Sequence, residues 1–298
     1  MNNRINLAWE AMYQEVKSID VVTLLGQLTL FMLVFYGPGG WFITSIYKAA
    51  LVLSLAFPRI VKHPALWLIL IVSSAFAVYT GWQGVLNSTW LMFYWMITFM
   101  LATFVCRGSL DDLRSFLRHN ANFMIVAIMG LAVVQKIFGA GYLSGASFEL
   151  ALLTQPNLYL LSHYIGGLSF QDLFTNVDLL KSLPYQEVIL VTSSRITFVA
   201  LVITYFVLVI EAAIAILFLL KRTVYVYAAH MLLGVFIIGV YFVVPAYPFI
   251  ILFAILGIAS LPDRSPRLFC MYVFLVLLTF IYEMPWFTIY NLAIGNGA

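Results

Sequence analysis

Charge is what this chain of 298 residues has least of, with only 9% Asp, Glu, Lys and Arg. A water-exposed surface needs roughly a quarter of its residues charged, so a soluble globular protein is excluded. Cysteine is nearly absent too: Cys106 and Cys270 are the only two. Without a CxxC pair or paired His/Cys spacing, metal readings have no carrier. No phosphate-binding glycine loop and no GxSxG occurs, so nucleotide and serine-hydrolase readings lack support. A net charge of +3 is too small to argue for nucleic acid. Residues 1–20 are too polar to form the core of a cleaved signal, and the first span is expected to act as its own insertion signal.

What is present is apolar. Hydrophobic residues make up 64% of the chain, and mean hydropathy is +1.03. Seventeen tyrosines and seven tryptophans suit aromatic belts at two membrane interfaces. The expected class is all-α: a single-domain, polytopic transmembrane helical bundle of about nine spans, with the lipid bilayer as its first partner. The spans run over 20–36, 41–57, 65–82, 88–106, 121–138, 196–220, 223–243, 246–261 and 267–284. Gly37-Pro38-Gly39-Gly40 separates the first two. Both are short for a bilayer, and one long kinked helix is the alternative. Within 1–19, Ile5, Trp9, Met12, Tyr13 and Val16 share a helical face, which reads as an interfacial amphipathic helix or as a solvated lead-in.

Charge orients the bundle. Arg59, Lys62, Arg107, Arg114, Arg118, Lys221, Arg222, Arg264 and Arg267 all fall in alternate loops. The 83–87 turn, the 244–245 turn and the acidic 139–195 segment occupy the others. The positive-inside rule then puts the N-terminus in the cytoplasm and 139–195 outside. Both cysteines fall at cytoplasmic helix ends, where free thiols are expected. The 139–195 segment is too long for an ordinary loop, and its apolar pieces (148–153, 158–165, 177–183) are too short to span. It is expected to form an extracytoplasmic cap of short helices over the outer mouth, or re-entrant at its rim.

The stretch from Gly130 to Gly145, GLAVVQKIFGAGYLSG, carries the first candidate site. Lys136 near the end of an apolar helix is either an anchor snorkelling to the interface or a base at a cavity mouth. Lys48 lies roughly 10 Å below the outer surface. Two lysines near one cavity would attract an anionic head group or a quinone oxygen. Lys48, Gln135 and Tyr142 are therefore the candidate contacts for a quinol or a bound lipid. His163, in the cap, is the candidate catalytic partner of Lys136; His119 lies roughly 25 Å back along the same helix. Glu211 and His230 fall at similar depth on consecutive helices, roughly 10–14 Å from the cytoplasmic side, with Gln27 comparable. They read as a structural clasp or as a proton-handling pair.

Gly130, Lys136-Ile137 and Tyr142-Leu143-Ser144-Gly145 resemble the central helix of the horizontally transferred transmembrane (HTTM) family, which includes the membrane half of vitamin K-dependent gamma-carboxylase. Glu211, the basic Lys221-Arg222 turn, His230 and Pro248-Phe249 follow the order of that family's second half. The resemblance covers about residues 121–261. It implies a quinol-using enzyme with Lys136 as the base that deprotonates a hydroquinone, leading to carboxylation of a bound peptide. The distance from Lys136 to Tyr-Leu-Ser-Gly is slightly longer than the family's, and His163 is only a candidate for its histidine. The rival expectation is a non-catalytic accessory subunit, or a partner in peptide maturation or export within a membrane complex. A transporter ranks third, because no inverted repeat is evident.

Overall fold

The computed structural model describes residues 20–81, 87–106, 109–139, 141–155, 158–182, 189–220, 223–243, 247–262 and 265–283. The described residues form twelve α-helices and one short 3-10 helix (Pro58–Lys62), with no strand. The helices are α1 (Val21–Tyr36), α2 (Trp41–Ala56), α3 (Pro64–Thr80), α4 (Asn87–Val105), α5 (Leu110–Phe138) and α6 (Ala146–Thr154). They continue as α7 (Tyr159–Tyr164), α8 (Phe170–Ser182), α9 (Ser194–Leu220), α10 (Thr223–Val243), α11 (Tyr247–Ser260) and α12 (Pro266–Glu283). Three of them, α4, α5 and α9, are long and apolar enough to cross a membrane. The expected helix over 1–19, the 244–245 turn, most of the 83–87 turn, and Arg107, Lys221, Arg222 and Arg264 lie outside the described residues.

Eight of the nine expected apolar stretches coincide with observed helices to within two residues at each end. The ninth, α5, begins eleven residues early, at Leu110 rather than 121. Ser109 accepts from the Asp112 amide at 3.2 Å, and Asp111 and Asp112 occupy the first turn. Both features stabilise a helix N-terminus, so the charged lead-in folds as helix. The single domain expected from sequence divides into two compact units, residues 1–124 with 246–298, and residues 125–245.

In the first unit, buried polar groups tie apolar helices together. Asp20 caps α1, accepting from the Thr23 amide at 3.3 Å and its hydroxyl at 2.8 Å, and it pairs with Lys62. Tyr47 Oη contacts the Pro38 carbonyl at 3.1 Å and Ser74 Oγ at 2.7 Å, which pins the α1–α2 turn to α3. The glycine turn ends α1, so two helices form rather than one kinked one. Trp95 donates to Thr29 Oγ1 at 3.0 Å and Trp67 to the Val61 carbonyl at 2.7 Å, because a buried indole N–H needs an acceptor. Helix α11 is buried from Ile250 through Ser260, as a helix apolar on every face must be.

In the second unit, α6, α7 and α8 occupy the segment where short helices are expected. They pack on the first half of α9 through Leu152, Leu153, Leu158, Leu173, Ile196 and Ala200. Glu149 of α6 accepts from Thr192 and Thr197, both at 2.9 Å. Gly145 starts α6 at φ +81°, and a side chain there would meet the Leu201 amide at 3.1 Å. Both conditions favour glycine.

Candidate functional site

The site lies where α5 ends. Lys136 is in the last turn of α5, and its ammonium donates to Glu211 Oε1 of α9 in an ion pair. The Glu211 side chain is 5% exposed and that of Lys136 20%. Glu211 lies seventeen residues past Ser194, roughly 25 Å along α9. Helix α5 therefore ends about two-thirds of the way along α9, and α6 covers α9 nearer its start. Lys136 thus places its ammonium far along α9 from that helix's start rather than level with it. Its ammonium is held by a carboxylate instead of snorkelling free. Such a pair offsets a large desolvation cost only while both partners remain.

The turn after α5 brings Tyr142 back over this pair. The Lys136 ammonium lies 5.4 Å from the Tyr142 ring centroid, a cation–π distance, and Phe148 meets the ring edge-on at 6.0 Å. Burial, with the Glu211 carboxylate adding to it, pushes the Tyr142 hydroxyl up to about 12, so it keeps its proton. Two polar atoms of this cluster are buried without a hydrogen-bond partner among the described residues: Tyr142 Oη and Glu211 Oε2.

Of the residues expected from sequence, the structure brings together Lys136, Tyr142 and Glu211. Gln135 is exposed on α5. His163 is engaged in its own turn: Nδ1 bonds the Leu168 carbonyl at 2.7 Å and the ring stacks on Phe170 at 4.5 Å. It makes no hydrogen bond to Lys136, and its expected role as catalytic partner has no contact behind it. The expected Glu211–His230 pair is corrected as well. Among the described residues Glu211 bonds Lys136 through Oε1 and its Oε2 has no hydrogen-bond partner, so no hydrogen bond joins it to His230. His230, buried on α10, sets its ring edge-on to Phe218 at 5.1 Å. Phe218 is seven residues beyond Glu211, roughly 10 Å along α9. Lys48 and Gln27 belong to the first unit; Lys48 is exposed, and Gln27 donates to the Ser54 carbonyl at 3.0 Å. A cavity of about 620 Å³ in that unit is lined by Ala75, Val78, Tyr79, Trp90 and Phe93, none of them an expected site residue.

The missed relationship is Lys136 with Glu211. Its signal was a lone acid and a lone base in apolar helices, which need partners. Counting depth from opposite helix ends hid it. No protein-family model, curated protein or solved structure matches this chain.

Proposed function

We propose that this chain is a multi-pass integral membrane protein of the HTTM type, with its N-terminus cytoplasmic and 139–195 outside. Its working centre is the Lys136–Glu211 pair, which exchanges a proton with an amphipathic, hydroxyl-bearing substrate of the quinol class. The carrying observation is a partly buried ion pair, its carboxylate 5% exposed, with two polar atoms, Glu211 Oε2 and Tyr142 Oη, left unsatisfied by the described residues. Helices in lipid can be joined at much lower cost by small residues and neutral hydrogen bonds. A charged pair that still leaves hydrogen-bonding capacity unused suits a site that accepts a polar group. Lys136, the residue expected as a lone base, enters this reading as half of a pair.

The test is ligand binding to the full chain in detergent. Decylubiquinol should raise its melting temperature by several degrees, and Lys136→Met and Glu211→Gln should abolish the shift while remaining folded. If quinol leaves wild type unmoved and lipid extracts of the purified protein contain no quinone, the quinol reading fails. The accessory-subunit reading would then take its place. One observation favours that second reading: α7 and α8 leave Leu160, Tyr164, Ile165 and Phe174 exposed on the segment assigned to the outside, an apolar face suited to a peptide or protein partner.

A further inference from the structure

The Lys136–Glu211 pair contains one group able to take a proton and one that is not. An ammonium has three donors and no lone pair, and one of its donors is already spent on Glu211 Oε1. Glu211 Oε2 is an acceptor that no described side chain or amide satisfies, on a side chain 95% buried, since 5% is exposed. Tyr142 Oη is likewise unpartnered, and as a protonated phenol it donates.

We propose that Glu211, through Oε2, takes the substrate's proton, and that Lys136 and Tyr142 hold the oxyanion this creates. The inference rests on the hydroxyl-substrate reading above. The substrate O–H bond breaks and the Oε2–H bond forms. The electron pair stays on the substrate oxygen, whose negative charge replaces that of Glu211 beside the same ammonium. No net charge appears or disappears in an apolar setting, where an uncompensated charge costs most. The two remaining Lys136 donors and the Tyr142 hydroxyl stabilise the oxyanion as it forms. The approach runs along Lys136, whose side chain keeps 20% of its surface open on a flexible stem. The assignment reverses the sequence expectation: the carboxylate is the acceptor and the lysine the electrostatic support.

The experiment uses the full chain in detergent with 4-nitrophenol, at a pH below the probe's own ionisation so that the free probe is the phenol. Its absorbance separates phenol from phenolate. Wild type should bind the probe as phenolate. Infrared difference spectra should show a new protonated-carboxyl band that shifts when glutamate is labelled with carbon-13. Wild type should release no proton to the buffer as it ionises the bound probe. Glu211→Gln keeps the ammonium but lacks the acceptor, so it should hold phenolate only with release of the proton to the buffer, read with a pH indicator. Lys136→Met should weaken phenolate binding tenfold or more. Release of the proton to the buffer by wild type, or phenolate in wild type without the carboxyl band, overturns the assignment. The infrared readout needs no variant, so it decides even where Glu211→Gln fails to fold. Probe bound but never ionised overturns this assignment and leaves the hydroxyl-substrate reading standing. Absence of any binding by wild type overturns both.

Discussion

Lys136 and Glu211 stand 75 positions apart in sequence and form an ion pair between the last turn of α5 and the second half of α9. Their exposures differ, and so should the costs of breaking the pair. Lys136→Met strands a carboxylate that is 95% buried and should cost about 3–5 kcal/mol. Glu211→Gln leaves an ammonium that hydrates through its exposed side and should cost less. The double variant should recover much of the loss. Thermal melts in detergent check this through a double-mutant cycle, and additive effects would mean that the two side chains do not interact.

Gly257 and Gly130 predict opposite responses to alanine. A Cβ at Gly257 would lie 2.3 Å from the Tyr272 ring, and Tyr272 is fully buried. Gly257→Ala should therefore cost about 1–3 kcal/mol through overpacking. At Gly130, inside α5, nothing lies within 4 Å of the added atom. Gly130→Ala should be neutral or stabilising by up to about 1 kcal/mol, from helix propensity. Melting temperatures of the two variants, measured side by side, decide it.

Helix limits were legible because local chemistry sets them. Gly37 and Pro38 end α1, and His63 and Pro64 open α3 with the imidazole accepting from the Ala65 amide at 3.3 Å. The start of α5 was not, because Asp111, Arg114 and Arg118 read as a polar loop until Ser109 is seen capping a helix. Within the site, the residue types were legible and their partners were not. Depth counting assumes helices of matched length, yet α5 stops about two-thirds of the way along α9 and α6 covers α9 nearer its start. That mismatch sets Glu211 against Lys136. No periodicity within one helix records where a neighbouring helix stops.

Asp20 predicts a pH dependence. Burial acts to raise its carboxyl, but hydrogen bonds from Lys62 and Thr23 outweigh burial and hold it below the usual 3.8. A carboxyl depressed on folding contributes stability above its unfolded value and loses it as pH falls through the folded one. Asp20→Asn should therefore lower the melting temperature at neutral pH and match wild type in acid below the folded value. The side chain is 41% exposed, so solvent screening keeps the difference under about 1 kcal/mol. Melts across a pH series check both the sign and the window.

The proposed orientation is tested with cysteine chemistry. Ser169 is exposed at the start of α8, where its hydroxyl bonds the Asp172 carboxylate at 2.6 Å. Ser169→Cys weakens that cap by about 1 kcal/mol and leaves the thiol in water. A membrane-impermeant maleimide added to intact cells should label it. Cys106 and Cys270, at helix ends assigned to the cytoplasm, should stay silent. Silence at Cys106 needs a control, because burial, helped by Asp112, raises its thiol and slows it as a nucleophile. Permeabilised cells at raised pH supply that control, since Cys106 should then react. Labelling of position 169 only after permeabilisation would invert the orientation and put the α6–α8 segment in the cytoplasm.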